Sequence, residues 1–151
     1  DETTYWSYSA YSSQVEEAEL HRTWLAGEPT VAPSPVTQAY TNFLLASVFV
    51  DDYVVGAAAV LPCYWLYAQT GAQITRIPDE HPYAAWLHTY HDDEFAQATA
   101  QALAIVERAF ALAAPQARSR AARAYLTACR HEMEFFDQAL RVDLDDPGCD
   151  E

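Results

Sequence analysis

Tyr125, Cys129, Glu132 and Phe136 fall at i, i+4, i+7 and i+11, which sets one carboxylate in the middle of an otherwise apolar helical stripe. A glutamate so placed is buried or lines a cavity. Burial raises a carboxyl pKa and makes the group a proton shuttle near neutral pH, whereas a structural glutamate needs an arginine or several donors beside it. On a second face, Gly56, Val60, Cys63 and Tyr67 put a thiol and a phenol one turn apart. This thiol is either a nucleophile or one more small apolar group, because free cysteine is among the most buried residue types. Placed in mid-helix, it draws no help from a helix N-terminus in lowering its pKa. Tyr40, Tyr67 and Tyr90 each lie on an inward face. Buried phenols need partners, so three of them point to a pocket for a flat polar ring rather than a dry core.

Metal chemistry finds little support. Glu17 and His21 form an E-x-x-x-H pair, half of a di-iron carboxylate site, but none of His81, His88, His91 or His131 has an acid four positions before it. We expect no metal and read His21 as a hydrogen-bonding interior residue; a di-iron oxidase would rest on that one pair alone. Cys63, Cys129 and Cys149 are odd in number and widely spaced, which gives neither a disulfide framework nor a zinc pattern and implies a reducing, cytoplasmic setting. A net charge of -14 with 8 Lys+Arg repels a phosphate backbone, so nucleic acid is not an expected partner. The apolar run from Tyr53 to Ala68 is shorter than the roughly 20 residues a span needs and contains Gly56 and Pro62, so no membrane insertion is expected. No signal or transit segment is read before the first helix.

The elements that must position these groups are helical. With 151 residues, 51% of them hydrophobic, and only 4 Gly, the chain reads as one all-α domain over residues 1–141 followed by an acidic tail, 142–151. A first helix spans about Tyr5 to Leu25, with Tyr11, Val15, Ala18 and Leu25 on its apolar face. Ser34 and Pro35 cap a second helix running through Tyr40, Leu44 and Phe49. A third helix, Tyr53 to Ile74, is apolar nearly all round and belongs at the centre of the domain. A short helix with Tyr83, Trp86 and Tyr90 on one face follows, then a helix opened by Asp92, Asp93 and Glu94 that turns Phe95, Leu103, Val106 and Phe110 inward. After Pro115 a last helix reaches about Leu140, which makes a bundle of five to six helices.

Five segments, in order, carry a resemblance: EAELH at 17–21, PSPVTQAYTNFL at 33–44, AAVLPCYWLYAQTG at 58–71, HPYAAWLHTYHDDEF at 81–95 and HEMEFFDQA at 131–139. Together they resemble the thiaminase II (TenA-type) family. The resemblance implies a haem-oxygenase-like helical bundle lacking the family's first helices, no metal or organic cofactor, and a homo-oligomer, tetramer or dimer. It implies hydrolysis of a small-molecule pyrimidine, aminomethylpyrimidine, to hydroxymethylpyrimidine. Cys63 would be the nucleophile that adds to the ring, and Glu132 would hold the aminopyrimidine edge and move protons. Tyr40, Tyr67 and Tyr90 would line the pocket, and Phe135 would pack against the ring. The family's L-x-x-D segment, with an aspartate and a tyrosine facing substrate, finds no match before Glu17, so a further chain or absent residues are expected to fill that side. The alternative is a domain that keeps the aromatic pocket and binds a pyrimidine without turning it over.

Overall fold

Side chains that accept from free backbone N–H groups start three of the helices, two of them where the sequence places them, while the first helix begins at Glu2, ahead of the expected Tyr5. Asp1 Oδ1 accepts from the Thr4 amide at 2.8 Å, Ser34 Oγ from the Thr37 amide at 3.1 Å with Pro35 at the first helical position, and Asp92 Oδ1 from the Glu94 amide at 2.8 Å. The computed structural model describes residues 1–27, 31–78 and 80–142, apart from the side chains of 17, 20, 23, 24 and 142. Its helices are α1 (Glu2–Trp24), α2 (Pro35–Val50), α3 (Tyr53–Val60), α4 (Pro62–Gln73), α5 (Ala84–Thr89), α6 (Asp93–Leu112) and α7 (Pro115–Val142). Among the described residues there is no strand, and no helix is long and apolar enough to cross a membrane. The acidic tail and Cys149 lie outside the described residues, as does the side chain of Glu17.

α3 is the centre. It packs against α2, α6 and most extensively α7. Small residues make this contact close: Ala57, Ala58 and Ala59 of α3 and Ala117, Ala121 and Ala124 of α7 share one buried cluster with Val54, Val55, Ile105 and Val106. Arg120 on α7 fixes the α2–α3 turn from outside, with its guanidinium on Asp51 Oδ1 at 2.9 Å and on Asp52.

Three expectations change. The single central helix is two, because Pro62 has no N–H and its ring crowds the carbonyl one turn back; α4 begins there, after Leu61. On α1 the expected apolar face is solvent-exposed, with Tyr11 at 67%, Val15 at 50% and Leu25 at 55%. Docking falls to the first turns instead, where rings carry hydrogen-bonding groups: Tyr5 Oη donates to the Ala98 carbonyl at 2.8 Å, Trp6 Nε1 to Tyr53 Oη at 2.8 Å, and Ser9 Oγ meets Tyr64 Oη at 2.5 Å. Phe110, expected inward, is 36% exposed and borders a surface groove with Leu61, Leu103, Tyr125 and Leu126.

Candidate active site

Three helices bring three polar atoms together. Tyr40 stands on α2, Cys63 is the second residue of α4, and Glu132 lies in the second half of α7. The phenolic oxygen of Tyr40 donates to Glu132 Oε1 at 2.7 Å and stands 3.2 Å from the Cys63 sulfur. Two of the three are out of water, Glu132 at 2% and Tyr40 at 7% exposure, while Cys63 is half-buried. Among the described residues no lysine or arginine is paired with Glu132. Glu132 is thus held by a phenol, with a thiol alongside, rather than by the cation that commonly neutralises a buried structural carboxylate.

The pKa shifts follow from this burial. Desolvation pushes the Cys63 thiol up to about 12, and the charge of Glu132 adds to the rise. The helix start created by Pro62 lies next to this thiol, contrary to the mid-helix placement expected from the sequence, yet its stabilising effect on a thiolate is outweighed. Tyr40 is held well above the usual phenol range, by burial first and then by Cys63, so its hydroxyl stays protonated and able to donate. Cys129, three residues before Glu132, is also raised, by burial foremost.

A second set of side chains lies one turn further along the same two helices. Tyr67 follows Cys63 by four residues on α4, and Phe136 follows Glu132 by four on α7. Their ring centroids are 5.4 Å apart, and Tyr90, at the end of α5, lies 5.0 Å from Tyr67. Trp86 and Phe95 meet the Tyr90 ring edge-on at 5.2 Å and 5.1 Å. The two helices thus form two rungs, one polar and one aromatic. Phe135, assigned to the ring pocket by resemblance, meets Phe136 edge-on at 6.3 Å and is 37% exposed. Tyr83, expected on the face of Trp86 and Tyr90, sits instead at the start of α5, with its ring 6.0 Å from that of His81.

Sequence reasoning missed His131. Its ring lies parallel to that of Tyr40, 15° between planes at 5.3 Å, with Phe43 at 5.2 Å, and its buried Nδ1 has no hydrogen-bond partner. Glu134 Oε2 lies 3.8 Å from that nitrogen. Position 131 falls beside Glu132 on the buried side of α7, which was a usable signal. Among the described residues no group of three or more His, Cys, Asp or Glu side chains could hold a metal ion.

The chain matches the TENA/THI-4/PQQC family over residues 6–142. It is 52% identical over 137 residues to the thiamine biosynthesis multifunctional protein ThiED of Corynebacterium glutamicum, covering 90% of this chain and 18% of the relative. It is 28% identical to the aminopyrimidine aminohydrolase of Bacillus subtilis, over 72% of this chain and 47% of the relative. To the enzyme of the same name from Halalkalibacterium halodurans it is 29% identical, over 82% and 59%. The chain therefore spans about a fifth of the first relative and about half of the second.

Proposed function

The chain belongs to the TENA/THI-4/PQQC family, whose haem-oxygenase-like helical fold it has, and from that premise we propose that it hydrolyses aminopyrimidines through Cys63. The observation that carries the reading is the single phenolic oxygen of Tyr40, in reach of both the Cys63 sulfur and the Glu132 carboxylate. The names of the two aminohydrolase relatives and of ThiED support a thiamine-related hydrolase. Residues 1–141 act in this reading as one domain of a cytoplasmic homo-oligomer, without metal or organic cofactor.

A thiol held this far above its ordinary range is almost wholly protonated at neutral pH. The nucleophile must form in the site, during the reaction. Tyr40 supplies the route: as sulfur bonds to a pyrimidine carbon, the thiol proton passes to Tyr40 Oη and the phenolic proton passes to the Glu132 carboxylate. The protonated Glu132 then returns that proton to the departing amine, which leaves the exocyclic methylene as ammonia. Water adds at that methylene, the carbon–sulfur bond breaks, and hydroxymethylpyrimidine is released with the thiol restored. Tyr67, Tyr90 and Phe135 border the space in which the ring lies.

The test follows hydroxymethylpyrimidine formation from aminomethylpyrimidine. Turnover should fall about 10³-fold or more in Cys63→Ser, and equal rates in the two proteins end the nucleophile assignment. The high thiol pKa favours a second reading, a pyrimidine-binding domain without turnover, which predicts saturable binding of aminomethylpyrimidine and no product in either protein.

A further inference from the structure

The face of α4 that carries Cys63 and Tyr67 continues, four residues on, to Gly71. Glycine weakens a helix, and nothing in the backbone asks for it here, since Gly27 is the described glycine with a positive φ. The reason lies across the contact. A Cβ added at Gly71 would stand 2.7 Å from the carbonyl oxygen of Tyr90 and 2.8 Å from its Cβ. Both lie far inside the 3.5–4.0 Å or so at which heavy atoms attract. Neither atom is the far end of a flexible side chain, so the Tyr90 backbone itself would have to move.

We propose that Gly71 is a positioning residue for the pyrimidine site: its missing side chain seats the Tyr90 backbone on α4, and that seat sets where the Tyr90 and Tyr67 rings face the substrate. The proposal rests on the hydrolase reading for the identity of the ligand, but not for the geometry. Tyr90 has little other freedom, because Trp86 and Phe95 already close on its ring from two sides. A displacement of the backbone therefore reaches the contact with Tyr67. The Tyr40 hydroxyl, the Cys63 sulfur and Glu132 lie on the other rung and are left in place.

Gly71→Ala provides the test, read in two ways. In its crystal structure the Tyr67–Tyr90 centroid separation should grow beyond the present 5.0 Å, and an unchanged separation overturns the proposal. In solution, KM for aminomethylpyrimidine should rise about fivefold or more, with kcat within about twofold, and the Kd of hydroxymethylpyrimidine by calorimetry should rise in parallel. Unchanged KM and Kd, or a loss confined to kcat, also overturn it. Should Gly71→Ala not fold, Tyr90→Ala removes the same ring without crowding α4; it should give the same rise in KM, and an unaltered KM counts against the seat. If the unsubstituted protein neither binds nor converts either pyrimidine, the hydrolase reading fails, and the crystallographic arm alone decides the role of Gly71.

Discussion

The two halves of α7 follow one spacing and do opposite things. Its buried face reads Ala117, Ala121, Ala124 and Ala128, and then Glu132, with Ala121 and Ala128 at 0% and Glu132 at 2% exposure. The first part is a dry seam: four methyl groups let α7 approach α3 closely, and no polar atom needs a partner. At the next position the same spacing inserts a carboxylate, which costs several kcal/mol when desolvated without partners. Tyr40 of α2 and Cys63 of α4 converge on it there. An interruption in a small-residue stripe thus coincides with polar groups from two other helices, and that coincidence separates a candidate site from a packing surface.

The largest expected effect breaks the polar half. Glu132→Gln keeps an oxygen to accept from Tyr40 but removes the charge, so hydrolysis should fall about 10²- to 10⁴-fold. Because the Glu132 charge raises the Cys63 pKa, its removal lowers that pKa, and alkylation of Cys63 by iodoacetamide at pH 8 should become faster. Slower hydrolysis with faster alkylation is the signature. If both rates fall together, the carboxylate is not acting on the thiol in the manner described.

Next comes the dry half. Ala121→Leu drives extra methylene groups into the contact with α3 and should cost about 1–3 kcal/mol in urea unfolding. Glu132→Gln should cost clearly less, since its hydrogen bond survives. A larger loss from Glu132→Gln would reverse the contrast drawn between the halves.

The smallest effect is at the rim. Asp51 is held below its ordinary carboxylate range, by the Asp52 backbone amide first and by Arg120 second. A depressed folded pKa contributes stability above the unfolded value of 3.8 and loses it as pH falls through the folded value. Asp51→Asn should accordingly lower Tm slightly at pH 7 and hardly at all near pH 2. Equal shifts at both pH values would deny the linkage.

Much of the fold was legible because its signals are local. Ser34 with Pro35 and Asp92 with its acidic successors announced helix starts, and Pro115 announced a break; each acts through its own backbone. Glu132 was also legible, as a carboxylate in an apolar stripe. The differences have two causes. Periodicity on α1 selected Tyr11 and Val15, but which side of a helix is covered depends on what packs there, and the partners turned out to be Tyr64, Tyr53 and the Ala98 carbonyl. Pro62 breaks a run that is apolar on both sides of it, so Cys63 stands at a helix start although the apolar pattern continues through it.

By itself, then, the order of residues determined an all-helical chain, where most of its helices begin and end, and which thiol, carboxylate and phenols were candidates for chemistry. Only the tertiary structure decided that Tyr40 joins Cys63 to Glu132, that Phe136 rather than Phe135 meets Tyr67, and that Gly71 makes room for Tyr90. Capping and helix propensity act within a few residues of one chain segment. Hydrogen bonds, ring contacts and excluded volume between α2, α4, α5 and α7 depend on the distances that burial of the alanine seam imposes, and no spacing along one helix encodes those.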